Sequence, residues 1–191
     1  MKIGLFFGSF NPIHTGHLII ANHFAQGLDL QQVWFVVSPQ NPLKKSEDLL
    51  DQEHRLKMVE LAIENNDNLK SSDIEFHLPK PSYTIDTLNN LREKYPDHEW
   101  VLIMGADSVG TLPMWKEYEK LISDFEILVY PRPFYTISEP SLFPNMKLIN
   151  NVPLIEISAT YIRTAIKAGK NCRYLLPESV YGYIMKNGLY S

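Results

Sequence analysis

The sequence predicts an α/β fold, a single doubly wound (Rossmann-like) domain over residues 1–191 in which helices flank a central parallel sheet. Three apolar runs are typical of strands that are buried on both faces: 3–7, 33–37 and 100–104; a fourth segment, 125–130, is apolar except for Glu126. Segments with helical apolar periodicity alternate with these runs. Glycine-containing turns follow several runs directly, and α/β proteins bind their ligands at such strand ends.

Composition and charge exclude several classes of protein. The 191 residues suffice for one domain, which would bury about 70% of the surface of the unfolded chain. No apolar run approaches the roughly 20 residues that cross a bilayer, and the first run is too short for a signal peptide. We therefore expect a cytoplasmic protein with no membrane partner. The single cysteine, Cys172, excludes an intrachain disulfide, and the net charge of −4 argues against a broad nucleic-acid-binding face.

The first half of the chain reads as strand, helix, strand and helix. After the first strand, apolar residues at helical spacing predict a helix over 15–27, whose terminal glycine suits a helix end. The run at 33–37 then completes a right-handed βαβ unit. A second helix is expected over 51–65. Alternating polar and apolar residues over 71–76 predict a partly exposed strand.

The second half continues the alternation of strands and helices. Thr84 is predicted as the N-cap of a helix, because threonine hydroxyls accept hydrogen bonds from first-turn N–H groups. Three further strands are predicted at apolar runs: 100–104, 125–130 and 154–157. The segment 134–152 is expected to be an irregular, flexible excursion. Ser158 is predicted as the N-cap of a helix that extends through Ala168 and Gly169, and a last helix is expected from Pro177 or Glu178 to Lys186.

The most informative stretch runs from Gly8 to His17 and joins the first strand to the first helix. A helix that begins there directs unpaired N–H groups and a partial positive charge at a ligand, which favours a phosphate. His14 and His17 lie three residues apart, so their imidazoles can converge on one small volume and donate hydrogen bonds to phosphate oxygens. Phosphoryl or nucleotidyl transfer is the first hypothesis. Two surface histidines near a helix start are the alternative.

Other candidate residues lie at neighbouring strand ends. Lys44 and Lys45, in the loop after the second strand, can overhang a phosphate site or simply be solvated. The turn at 105–108 again joins a strand to a helix. Its Asp107 can accept a hydrogen bond from a ribose hydroxyl or an adenine amino group, or can cap the helix. Trp115 can stack on a heterocycle or anchor the core.

A second helix start suited to phosphate lies at Ser158. The hydroxyls of Ser158 and Thr160, the N–H groups of the first turn and the guanidinium of Arg163 can together hold a phosphate chain. Arginine offers a bidentate pair of donors and stays charged at any relevant pH. Without the first motif, a capped helix with a surface arginine would be the simpler interpretation.

The two end motifs resemble the signatures of the HxGH nucleotidyltransferase superfamily. The first signature is matched at Gly8, Phe10, Pro12, His14, Gly16 and His17. The second, Ile-Ser-x-Thr-x-Ile-Arg, is matched at every specified position from Ile157 to Arg163. Three middle segments resemble the bacterial nicotinate-nucleotide adenylyltransferase family: 81–88, 105–108 and 112–115. Asn11 departs from that family, which commonly has aspartate at this position.

The resemblance implies transfer of AMP from ATP to nicotinate mononucleotide in NAD biosynthesis, by in-line attack without a covalent intermediate. It implies catalytic roles for His14, His17 and Arg163, with His17 the stronger candidate for stabilising the transition state. The residues implied for ATP are Gly8, Ser9, Phe10, His14, His17, Lys44, Gly105, Asp107, Ser158, Thr160 and Arg163. Those implied for the mononucleotide are Ser82, Tyr83, Thr84, Trp115 and Arg132. We expect no metal ligands from the protein, because magnesium (Mg2+) would be held mainly by ATP phosphates and water.

Two other functions stay open at this point. Pantetheine-phosphate adenylyltransferase shares the fold and both signatures. The segments at 81–88 and 112–115, however, are not expected in that enzyme. A non-catalytic ATP-binding module is the alternative from a different class, and the presence of both histidines and of Arg163 argues against it. The sequence leaves undecided whether the protein is a homo-oligomer and how strongly it discriminates against nicotinamide mononucleotide.

Overall fold

A parallel sheet of six strands forms the centre of the computed structural model, which describes residues 1–40, 49–135 and 143–191. The strand order is β3-β2-β1-β4-β5-β6, and every neighbouring pair is parallel. The strands are β1 (Lys2–Gly8), β2 (Gln32–Val37), β3 (Leu69–Ser72), β4 (Glu99–Gly105), β5 (Glu126–Tyr130) and β6 (Met146–Leu148). The strand order reverses direction between β1 and β4, so the doubly wound prediction is confirmed.

Helices cover both faces of the sheet. They are α1 (Thr15–Gly27), α2 (Gln52–Ile63), α3 (Thr84–Lys94), α4 (Ala106–Val109), α5 (Tyr118–Asp124), α6 (Ala159–Lys167) and α7 (Glu178–Lys186). On β1, Phe6 belongs to a core shared with α1, α2, α6 and α7, whereas Leu5 belongs to the core beneath α3, α4 and α5. Both faces of β1 are therefore buried, which explains its unbroken apolar run. Among the described residues, no helix is long and apolar enough to cross a membrane.

The predicted strand at 71–76 is only partly correct. β3 ends at Ser72, which pairs with Val36, one residue before β2 ends, and Ile74–His77 form a 3₁₀ turn. In that turn the Phe76 N–H donates to the Asp73 carbonyl at 2.8 Å. Without a neighbouring strand, the backbone groups beyond Ser72 find partners locally.

The predicted strand at 154–157 is wrong. Leu154 and Ile155 are 50% and 41% exposed, and the segment carries no strand. The edge next to β5 is occupied by β6, whose Met146 pairs with Ile127. β6 lies inside the segment 134–152, which we expected to be irregular throughout, so that expectation also needs correction. A three-residue strand is too short to show a clear period in the sequence.

The side chain of Arg55, on α2, is 1% exposed and joins three parts of the chain. Its Nη1 donates to the carbonyls of Ser9 and Ser38, both at 2.7 Å. Its Nε donates to the Leu50 carbonyl at 2.8 Å and its Nη2 to the Pro39 carbonyl at 3.2 Å. Arg55 lies on the second helix, which the sequence predicted over 51–65 without assigning this residue a role. The structure shows that it fastens the loops that leave β1 and β2.

We predict that Arg55→Met lowers the free energy of unfolding by about 3 kcal/mol or more, since each buried carbonyl left without a donor costs roughly 1–3 kcal/mol. Urea denaturation followed by circular dichroism measures the change. Lys57→Met is the matched control, because Lys57 lies on the same helix and is exposed. The control should stay within about 0.5 kcal/mol of the wild type. A loss below about 1 kcal/mol in Arg55→Met would contradict the proposed role of this side chain.

Candidate active site

A cleft of about 1180 Å³ opens at the carboxyl ends of the central strands. Its walls come from the loops after β1, β4 and β5, the start of α3 and the start of α6. Every predicted site residue in the described part of the chain lines this cleft. Lys44, which we predicted near the ATP phosphates, lies outside the described residues, as does Lys45. Residues from five separate segments are thus gathered at one site.

The two histidines of the first motif are stacked at the start of α1. Their ring centroids are 3.6 Å apart and their planes differ by 20°. His14 is the N-cap residue, and its N–H donates to Nδ1 of His17 at 3.3 Å. Because Nδ1 of His17 accepts this bond, the proton of its neutral ring lies on Nε2. The predicted convergence of the two imidazoles is confirmed.

Two glycines and Phe10 make this stacking possible. A Cβ atom on Gly16 would lie 3.1 Å from Nδ1 of His14, so the ring occupies the space of a side chain. A Cβ atom on Gly8 would lie 2.8 Å from the ring of Phe10. Phe10 is buried, has a φ of 45°, and meets the His17 ring edge to face with 5.2 Å between centroids. Gly8 and Phe10 therefore support the histidines.

The electrostatic state of His14 differs from that of an ordinary histidine. Burial, and secondarily the positive charge of Arg132, lower the pKa of His14 to about 4. His14 is therefore neutral near pH 7. Its Nδ1 is buried and has no hydrogen-bond partner among the described residues. A bound anion beside the ring would favour the protonated form and raise this pKa again.

Asp107 and Arg132 form an ion pair in the wall of the cleft. Nε of Arg132 lies 3.5 Å from Oδ1 of Asp107, and the guanidinium lies 5.2 Å from the centre of the Tyr130 ring. Asp107 does not cap a helix, because Gly105 is the N-cap of α4. A Cβ atom on Gly105 would collide with Oδ1 of Asp107 and lie 3.1 Å from Nε of Arg132. The two side chains of this pair therefore occupy the space that a side chain at position 105 would take.

The second motif is connected directly to the first. Ser158 caps α6 as predicted, since its Oγ accepts from the N–H of Tyr161 at 3.1 Å. Nη1 of Arg163 donates to the Asn11 carbonyl at 2.9 Å, and Nη2 donates to Oγ1 of Thr160 at 3.4 Å. The arginine is therefore held against the histidine loop and is not a free surface residue.

Asn11 has a structural position that the sequence did not reveal. It is buried, and its Oδ1 accepts from the Tyr190 hydroxyl at 2.8 Å and from the Leu50 N–H at 3.4 Å. These contacts join the histidine loop to the last residues of the chain. No local signal connects position 190 with position 11, because the contact depends on how α7 packs.

The start of α3 and Trp115 form the remaining wall. Thr84 is the first residue of α3 and Tyr83 is its N-cap, so the predicted capping role of Thr84 is wrong. Tyr83 has the extended backbone of an N-cap residue, and its carbonyl oxygen lies 3.3 Å from Oγ1 of Thr87. Trp115 is half-buried in the cleft, with its Nε1 donating to Oγ1 of Thr111 at 3.2 Å.

In this doubly wound sheet a stacked histidine pair lies at the start of one helix, and an arginine from another helix is hydrogen-bonded to the same loop. These are the features of a nucleotidyltransferase. Residues 5–165 match the family model described as cytidylyltransferase-like. A protein of Flavobacterium johnsoniae named "Probable nicotinate-nucleotide adenylyltransferase" is 52% identical over 100% of this chain and 99% of its own. A protein of the same name from Bacteroides fragilis is 47% identical over 97% and 92%. The chain belongs to the nicotinate-nucleotide adenylyltransferase family.

A solved structure agrees with this assignment. It is the Plasmodium falciparum nicotinic acid mononucleotide adenylyltransferase complexed with NaAD, which is 25% identical in sequence. The superposition has a TM-score of 0.84 and covers 99% of this chain and 97% of the other. The resemblance that the sequence motifs indicated is therefore confirmed for the fold and for the family.

The lowered pKa of His14 predicts a pH dependence of stability. The unfolded chain, with a histidine pKa near 6.5, binds more protons than the folded protein between about pH 6.5 and pH 4. The stabilisation is fully present above pH 6.5 and is lost as the pH falls through about 4. It amounts to on the order of 3 kcal/mol, at about 1.4 kcal/mol per pKa unit.

Urea denaturation of the wild type and of His14→Gln across this pH range measures the contribution. We expect the difference in free energy of unfolding between the two proteins to shrink as the pH falls, because glutamine does not titrate. A titration of the His14 ring by NMR gives the pKa directly. Parallel pH dependences of the two proteins, or a pKa of 6 or above, would contradict the prediction.

Proposed function

We propose that this protein transfers AMP from ATP to nicotinate mononucleotide and releases pyrophosphate. The observation that carries this proposal is the stacked His14 and His17 pair, which lines one cleft together with Arg163 and Trp115. Family membership supports the same reaction, as do relatives whose names state it. The related Plasmodium falciparum structure is a complex with NaAD, which supports a dinucleotide product.

The proposed reaction is a direct displacement at the α-phosphorus of ATP. A phosphate oxygen of the mononucleotide forms the new bond to phosphorus, and the bond to the bridging oxygen of pyrophosphate breaks. The attacking oxygen is already an anion, so no base has to remove a proton and no covalent intermediate is required. Catalysis then consists of positioning and of stabilising the charge that develops on the transferring group.

The ATP phosphates are proposed to bind between the starts of α1 and α6. Both helices direct first-turn N–H groups at the cleft, and Arg163 and Ser158 are already oriented there by the contacts described above. His17 is proposed to donate from Nε2 to the transferring group. Gly105 and Asp107 line the side of the cleft that we assign to the rest of the nucleotide, and Arg132 balances the carboxylate.

The mononucleotide is proposed to bind against the start of α3. The N–H groups of its first turn suit the carboxylate of a nicotinate ring, and the half-buried face of Trp115 suits stacking. Ser82, Tyr83 and Thr84 line this part of the cleft. Arg132 can contribute a positive charge from the loop after β5.

Magnesium is proposed to enter with the nucleotide. Across residues 1–40, 49–135 and 143–191, no group of three or more histidine, cysteine or acidic side chains is placed to hold a metal ion. The side chains at the proposed phosphate site include those of His14, His17 and Arg163. They suit phosphates better than a hard cation, which prefers oxygen ligands. When bound by the triphosphate, magnesium would neutralise part of its charge.

Pyrophosphate release by the purified protein with ATP and magnesium tests the proposal. Nicotinate mononucleotide, nicotinamide mononucleotide and phosphopantetheine should be compared as acceptors at equal concentrations. We expect the first to be used most efficiently. Preference for phosphopantetheine would replace the acceptor in the proposal, and ATP binding without turnover on any acceptor would indicate a binding module.

We predict that His17→Ala lowers turnover by about two orders of magnitude or more, the effect expected when a preorganised donor to the transition state is lost. Steady-state release of pyrophosphate measures it. His23→Ala is the matched control, since His23 lies on α1 but does not line the cleft. The control should retain activity within threefold of the wild type. Activity of His17→Ala within threefold of the wild type would remove His17 from the mechanism.

We predict that Arg163→Ala weakens ATP binding by about 1.5–3 kcal/mol, the range for a hydrogen bond to a charged group. Calorimetric titration with ATP and magnesium measures the affinity. Lys167→Ala provides the comparison, because Lys167 is an exposed cation on the same helix. If the two variants bind ATP equally well, Arg163 has no special role in holding phosphates.

A further inference from the structure

Glu75 is a buried carboxyl group in the wall of the cleft. It lies in the 3₁₀ turn Ile74–His77, is 2% exposed, and lines the cleft together with Ser82 and Tyr83. The sequence pattern placed it within an expected strand and assigned it no role. A carboxyl group buried to this extent is uncommon and costs free energy unless its surroundings compensate.

The contacts of Glu75 lead to the start of α3. Its Oε1 accepts from Oγ1 of Thr87 at 2.8 Å, and the same hydroxyl lies 3.3 Å from the Tyr83 carbonyl. One hydroxyl thus connects the carboxyl group to the N-cap residue of α3. Thr87 is fully buried, so this connection is shielded from water.

Two further polar atoms are buried beside this connection. They are Oε2 of Glu75 and Oγ of Ser82. Burial raises the pKa of Glu75, while the neighbouring hydroxyls of Thr87, Ser38 and Ser82 act in the opposite direction. Both residues line the cleft, but these two atoms are shielded from solvent. We therefore look for the effect of Glu75 in the backbone that its hydrogen bonds hold.

We propose that Glu75 is a positioning residue of the acceptor pocket, fixing the segment from Ser82 to Thr87 on which the mononucleotide would bind. The inference rests on the proposed function, because it concerns the same cleft. Through Thr87, the carboxyl group sets the position of the Tyr83 backbone and of the first-turn N–H groups of α3. Displacements on the order of 1 Å at such groups are enough to weaken binding and orientation strongly.

The position of Glu75 predicts an effect on one substrate only. Its hydrogen bond with Thr87 leads to α3 and the residue before it, whereas the groups that we assign to ATP phosphates belong to α1 and α6. Loss of the carboxyl group should therefore weaken binding of the acceptor and leave ATP binding unchanged. A general loosening of the fold would affect both substrates equally.

Glu75→Gln is the first test, because it preserves the shape of the side chain and removes one acceptor oxygen. Calorimetry measures binding of nicotinate mononucleotide alone and of ATP with magnesium. We expect the dissociation constant of the mononucleotide to rise about tenfold, and that of ATP to stay within twofold. The KM values should show the same division, with kcat at saturation within threefold. Glu93→Gln is the matched control, since Glu93 is an exposed carboxylate on α3, and it should change neither constant.

Thr87→Val removes the hydroxyl that donates to Glu75 and so tests the same connection independently. It is the test of the proposal if Glu75→Gln does not fold. It should weaken mononucleotide binding in the same way, and the double variant should be no weaker than Glu75→Gln. Unchanged mononucleotide affinity in a folded variant, or an equal loss for both substrates, overturns the proposal. Wild-type protein that binds the mononucleotide but releases no pyrophosphate contradicts the proposed function and still allows this test. Wild-type protein that does not bind it overturns both.

Discussion

The site depends on the guanidinium of Arg55, which holds the loops at the carboxyl ends of β1 and β2 in fixed positions. Loops that leave parallel strands carry carbonyl groups that cannot join the sheet, and burying them without donors is costly. Arg55 donates to four such carbonyls from beneath the site. The Ser9 carbonyl is one of them, and Ser9 lies in the loop that leads to the stacked histidines. The position of the histidine loop thus depends on a residue that does not line the cleft.

Several other contacts use the same principle, in which a buried polar group fixes a loop at the site. Asn11 accepts from Tyr190, and its carbonyl accepts from Arg163, so the two signature motifs meet through one residue. Glu75 connects to α3 through Thr87. Each interaction joins segments that are distant in sequence, and each lies beneath or beside a helix start. Preorganisation of this kind lets a site bind a charged ligand without reordering its own backbone.

The sequence predicted some parts of this site much better than others. The motifs around His17 and Arg163 were recognisable because a helix start needs particular residue types at fixed spacing, and these features are local. Glu75 was missed because its alternating neighbours indicated a half-exposed strand, and its burial depends on the packing of α3. The strand at 154–157 was predicted wrongly, because an apolar run does not reveal whether the neighbouring sheet edge is already occupied. The predicted cap of α3, Thr84, was one residue away from the actual N-cap, Tyr83. The backbone angles decide where a helix begins, and the sequence does not show them.

By itself, the sequence determined the fold class, the order of most strands and helices, and the residue types that favour phosphate binding. These properties follow from local periodicity and from short-range geometry. The tertiary structure decided which side chains are buried with partners, which sheet edge β6 occupies, and that His14 is neutral beside Arg132. Burial and charge at a given atom are sums over neighbours from the whole chain. They are defined only when distant segments have packed together.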